Sequence, residues 1–254
     1  MCLILLAHRA HPDFPLVVAA NRDEWFSRPA APAGFWPDAP EVFAGRDLEA
    51  NGTWMGITRG GRFAALTNFR DPARNRPDAP SRGGLVRDFL VDDASPAAYL
   101  DSLEGVADRF NGFSLLVGDR NALLYFSNRG GERRAIEPGV HGLSNHLLDV
   151  PWPKVREGKA RLAERLNGDV DVDGLLEVLG DARPAPDEEL PQTGVALEWE
   201  RSLSALRIET PEYGTRASTV LLVAADGRVT FVERSFDHSG AETGTVRERF
   251  RLDA

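Results

Sequence analysis

The sequence predicts an α+β fold in which helices pack on antiparallel sheets, and three observations carry that prediction. Short apolar runs recur along the chain, separated by compact turn signals at Gly60-Gly61, Asp119-Arg120-Asn121 and Ala225-Asp226-Gly227, which is the pattern of hairpins. Helical periodicity is confined to two paired blocks, residues 81–110 and 151–180, and does not alternate with the strands. A chain of 254 residues with 42% hydrophobic content can bury a full core, and a single domain over residues 1–254 is expected.

Taken in order, residues 2–7 and 15–20 are apolar runs flanking a polar stretch with Pro12 and Asp13, so they read as a buried hairpin. Antiparallel pairing about that turn returns Cys2 to the neighbourhood of Asn21-Arg22-Asp23-Glu24. Residues 28–40, with four prolines, are expected to be neither helix nor central strand and read as a surface loop held by Phe35 and Trp36. Residues 51–57 and 63–68 form the next hairpin, and Asn68 ends it. In the first helical block Ser81 is the expected cap of residues 81–92, and Ser95-Pro96 supplies a cap and a first-position proline for residues 95–110. Strands follow at 113–117, 122–126 and 139–144, the last leading to Asn145. Residues 151–167 and 172–179, closed by Gly168 and Gly180, are helical; 181–199 read as a polar loop; 203–208, 218–224, 229–233 and 246–252 read as strands.

A net charge of -9 argues against a general nucleic-acid partner, because phosphate contacts need a concentrated basic face. One cysteine excludes an intramolecular disulfide framework and any multi-cysteine zinc site, so a reducing, cytoplasmic setting is expected. The leading apolar segment is too short to span a bilayer and lacks a basic n-region, so neither membrane span nor signal peptide is expected. There is no glycine-rich phosphate loop and no HExxH, and no metal is expected.

The chemistry concentrates at the start. If Met1 is removed, Cys2 carries a free α-amine of pKa ~8 beside a thiol of ~8.5, and the residue supplies its own base. Arg22 would favour the thiolate, and Asp23 or Glu24 could hold the amine or the arginine. The plain structural alternative is a small buried cysteine opening a strand.

Asn21-Arg22-Asp23-Glu24 behind Cys2, residues 67–72 (TNFRDP), 111–118 (NGFSLLVG), Gly142-Leu143-Ser144-Asn145 with Pro151-Trp152-Pro153-Lys154, and 214–219 (GTRAST) together resemble the conserved blocks of the NRDE family, the transport and Golgi organisation protein two family. That family resembles a distant branch of the N-terminal nucleophile (Ntn) hydrolases. The resemblance implies a four-layer αββα sandwich of antiparallel sheets with Cys2 as nucleophile. It further implies Arg22, Asp23 or Glu24, Asn68, Asn145 and Arg216 around Cys2, with the asparagine amides as oxyanion donors. Asn21, Trp25, Trp36, Trp54, Phe69 and Arg70 are the expected substrate contacts.

Two functions follow as expectations. One is hydrolysis of an amide or thioester of a small or acyl substrate, with no cofactor. The other is a non-catalytic carrier of haem or a lipid-like ligand, in keeping with the family's association with haem trafficking and acyl-CoA or lipid homeostasis, using Trp25, Phe35, Trp36 and Trp54 as apolar contacts. His8 and His11 read as ordinary loop histidines in either case. Neither function fixes an oligomeric state.

Overall fold

The computed structural model describes residues 2–253 apart from Glu132 and Asp169, so the removal of Met1 lies outside the described residues. Along the chain run β1 (Cys2–His8), β2 (Leu16–Trp25), β3 (Ala30–Trp36), β4 (Ala39–Asp47), β5 (Met55–Thr58), β6 (Phe63–Asn68), α1 (Gly83–Val91), α2 (Pro96–Ser102), β7 (Phe113–Gly118), β8 (Leu123–Ser127), β9 (Arg133–Ala135) and β10 (Gly139–Leu143). They are followed by α3 (Pro153–Leu166), α4 (Val172–Leu179), α5 (Leu197–Ser204), β11 (Tyr213–Val223), β12 (Arg228–Phe236) and β13 (Glu242–Arg251). The class is α+β, as the separated helical blocks and the hairpins predict.

The chain divides into two compact units. The first, Met1–Ser27, Glu137–Ser144 and Leu148–Phe250, is built on an antiparallel sheet of order β10-β1-β2-β11-β12-β13. Alternation sends Leu3, Leu5, Ala7, Val17 and Ala19 to one face, where they pack with Val155 and Leu162 of α3 and with Leu175 and Leu179 of α4. Helix α4 starts where Asp171 accepts a hydrogen bond from the Gly174 N–H at 2.8 Å, and its C-terminal cap is Gly180. Helix α3 crosses β1 so closely that a Cβ on Gly158 would come within 2.8 Å of the Leu5 side chain.

The second unit, Arg28–Ile136, Asn145–Leu147 and Arg251–Ala254, carries a sheet of order β3-β4-β5-β6-β7-β8-β9. Leu85, Phe89 and Leu90 of α1 and Tyr99 and Leu100 of α2 pack on Ala64, Leu66, Phe113, Leu115 and Val117. The Ser95 hydroxyl accepts from the Ala98 N–H at 3.2 Å, as its place before Pro96 predicts.

Four expectations are corrected. Residues 28–40 are not a loop: β3 and β4 pair as a hairpin, in which Pro32 fits because β3 is an edge strand with a register shift between Ala31 and Gly34, Pro29 and Pro37 lie outside the strands, and Pro40 precedes the part of β4 that pairs with β5. Helix α1 begins after Arg82 with no side-chain cap, so Ser81 does not fill that role. Helix α2 ends at Ser102, and residues 107–109 form a separate 3-10 turn. Residues 203–208 are not a strand, since Leu203 and Ser204 close α5. The spacing of Leu203, Leu206 and Ile208 suits either element, and helix formation is decided by long-range packing.

Candidate functional site

The register of the first hairpin fixes the centre of the site. Cys2 lies directly opposite Arg22, and β2 runs on through Trp25, so Asn21 and Arg22 are flanked by β1 and β11 while Asp23, Glu24 and Trp25 pair with β11 alone. Strand alternation then divides that segment. Arg22 shares the face of Cys2, whereas Asn21 and Asp23 turn to the face that carries the helices.

Asn21 is 1% exposed. Its amide donates to the Leu179 and Leu206 carbonyls at 2.9 and 2.8 Å, and its carbonyl accepts from the Ser218 hydroxyl at 2.6 Å. It ties the end of α4 and the segment after α5 to β2 and β11. Asp23 is equally buried. One carboxylate oxygen accepts from the Thr215 hydroxyl at 2.7 Å, and the other lies 3.9 Å from the Lys154 ammonium, itself buried at the start of α3. The Tyr213 hydroxyl donates to the Asp23 carbonyl at 3.0 Å. Glu24 accepts from the Trp25 N–H at 2.9 Å.

Between the pairs Asp23–Thr215 and Arg22–Ala217 the register shifts, and the residue at the bulge is Arg216. Its guanidinium donates to the Trp25 carbonyl at 3.0 Å, and its pKa is pulled down by burial and by the adjacent charge of Arg22. Two arginines therefore stand at the end of the strands where Cys2 begins β1. The Ser144 hydroxyl donates to the Cys2 carbonyl at 3.2 Å and fixes that backbone.

Burial pushes the Cys2 thiol above its ordinary value, and the Asp23 carboxylate adds to the effect. The Asp23 backbone N–H, which hydrogen-bonds the sulfur, and the Arg22 guanidinium work in the opposite sense. Cys2 as a residue is partly exposed while its thiol is buried, and the groups that would stabilise its anion are already in position.

The remaining expected residues belong to the second unit. Asn68 closes β6 opposite Phe113. Asn145 adopts a left-handed backbone with φ of 55°, donates through its amide to the Asn68 carbonyl at 2.9 Å, and accepts from the Arg70 N–H at 2.7 Å. The Phe69 ring packs on His146 with centroids 4.6 Å apart, and burial lowers the pKa of that histidine. Trp36 is a core residue whose indole donates to the Ala44 carbonyl at 3.0 Å, and Phe35 packs edge-on against Phe43. Trp54 packs against Gly45, where a Cβ would lie 2.4 Å from its ring.

The structure thus brings together Cys2, Arg22 and Arg216 in one unit, and Asn68, Phe69, Arg70 and Asn145 in the other. Lys154, Thr215 and Ser218 stand within the motif blocks quoted from the sequence, which assigned them no role. Lys154 did carry a signal: it is one of only two lysines in a chain with 30 basic residues.

Comparison with solved structures reaches the same fold. A Caenorhabditis elegans ortholog of N-acylethanolamine-hydrolyzing acid amidase superposes with a TM-score of 0.53 at 14% identity over 87% of this chain and 92% of that one. A variant of conjugated bile acid hydrolase from Clostridium perfringens gives 0.54 at 8% identity over 99% and 97%. The fold is that of the N-terminal nucleophile hydrolases. Sequence relatives span the whole chain. The Transport and Golgi organization protein 2 homolog of Bos taurus is 40% identical over 100% of both chains, and that of Homo sapiens 37% identical over 96% and 98%. Drosophila melanogaster Transport and Golgi organization protein 2 is 28% identical over 92% of each. With these relatives and a match of the Transport and Golgi organisation 2 family model over residues 1–238, the chain belongs to that family.

Proposed function

We propose that the chain is a cysteine hydrolase of the N-terminal nucleophile type, cleaving an amide or thioester of a small or acyl substrate with Cys2. The observation that carries this reading is the register that sets Cys2 opposite Arg22, with the Asp23 N–H on its sulfur and Arg216 at the neighbouring bulge. The names of the two solved structures, an amidase and a bile acid hydrolase, support the same chemistry.

The steps follow from that arrangement. Once Met1 is gone, the Cys2 α-amine takes the thiol proton and Sγ attacks the substrate carbonyl carbon. The oxyanion that forms requires neutral hydrogen-bond donors aimed at it. Collapse breaks the bond to the leaving amine or thiol, which receives the proton held by the α-ammonium. Water, deprotonated by the same amine, then attacks the acyl thioester and releases the acid and free Cys2. Arg22 and Arg216 stabilise the thiolate and suit an acyl substrate that bears a negative charge.

The test is hydrolysis of a panel of acyl thioesters and N-acyl amines by wild type and Cys2→Ala, with circular dichroism as the fold control. Wild type is expected to turn over part of the panel, and Cys2→Ala to lose at least ~10³-fold while keeping its fold. Equal rates in the two proteins would remove the reading.

A further inference from the structure

The first unit carries a cleft that the proposed chemistry does not use. It encloses about 390 Å³ beside the end of β2 and is lined by Trp25, Trp199, Glu198, Glu212, Ser202 and Thr210. Trp25 and Trp199 are 45% and 37% exposed, among the few large apolar side chains left in solvent. Their planes are inclined by 66° with centroids 6.2 Å apart, so they form adjoining walls. Both lean edge-on against Tyr213, at 5.4 and 5.7 Å. Tyr213 is buried and anchored through its hydroxyl to the Asp23 carbonyl, so the aromatic walls rest on a fixed support.

The charged lining has one sign. Glu198 and Glu212 line the cleft, and among the described residues no arginine, lysine or histidine does. A neutral apolar ligand would strip water from Glu198 and Glu212 without giving either a partner, and an anion would meet repulsion. A cation with an apolar surface satisfies both parts, since indole faces attract it through their quadrupole and the carboxylates through charge.

We propose that this cleft binds a small organic cation, an alkylammonium or quaternary ammonium group. The inference stands apart from the hydrolase reading because Cys2 takes no part in it. The test is titration of the protein with tetramethylammonium, choline and the neutral isostere 3,3-dimethylbutan-1-ol, followed through the indole N–H resonances in ¹H–¹⁵N spectra. Choline is expected to shift the Trp25 and Trp199 resonances saturably, the isostere to bind several-fold more weakly, and the shifts to persist in Cys2→Ala. Trp199→Ala should abolish them and the pair Glu198→Gln with Glu212→Gln should weaken them, with the resonances of Trp36, Trp54 and Trp152 reporting an intact fold. Equal binding of the isostere would make the cleft merely apolar and overturn the proposal. Absence of saturation below about 100 mM, a free energy too small for a site, would overturn it as well.

Discussion

At the residue scale, the charged segment works because its alternate side chains do different jobs. Asn21 and Asp23 hold the frame on the helix face, while Arg22 and the Asp23 N–H serve the thiol. Lys154 and Asp23 form a buried ion pair, and removing one partner leaves a charge in a medium of low polarity. Lys154→Met is therefore expected to cost about 3–5 kcal/mol in urea unfolding, and much less when combined with Asp23→Asn. Additive losses in that double-mutant cycle would show that the two groups do not act as a pair. The pairing of Asp23 was not legible in the sequence, since its partners lie in β11 and α3, far along the chain. Spacing alone could place Cys2 beside Arg22 but could not say which of Asp23 and Glu24 turns inward.

At the element scale, the return from β10 to α3 is held by one charged cluster. Asp149 accepts from the Gly142 N–H at 3.0 Å, lies 2.7 Å from the His141 Nδ1, and accepts from Lys159 of α3 at 2.6 Å. Against the cost of burial, these partners lower its pKa to about 2 and raise that of His141. A depressed carboxylate contributes stability that is present above its unfolded pKa of ~3.9 and is lost as pH falls towards the folded value. Asp149→Asn is thus expected to lower stability by about 2 kcal/mol at pH 6, with the gap to wild type closing as pH approaches 2. The raised His141 contributes fully below ~6.5 and loses its share as pH rises through its folded pKa. Denaturant unfolding of both proteins across pH 2–9 checks this, and a gap independent of pH would contradict it. Hairpins closed by Gly60-Gly61 and Asp226-Gly227 were legible because their turns need backbone that glycine supplies, with φ of 85° at Gly61 and 82° at Gly227. Helix α4 was legible from its own cap and stripe. The β3–β4 hairpin was not, because prolines mask a strand whose edge position only the assembled sheet reveals.

At the scale of the whole molecule, each unit owns a sheet, a helix layer and a core, and the class was readable from hairpins flanking separated helical blocks. Among the described residues no helix is long and apolar enough to cross a membrane. Ligand identity was not readable, because specificity depends on cavity shape, which emerges from packing and not from local pattern. The central claim, a self-activating cysteine, turns on the state of one terminus. Its most direct test is the intact mass of untagged protein expressed from its native start, before and after incubation with an acyl thioester panel. The account expects a chain lacking Met1 that gains one acyl group, mapped to Cys2. Retention of Met1 in nearly all molecules, with no adduct at Cys2, would contradict it.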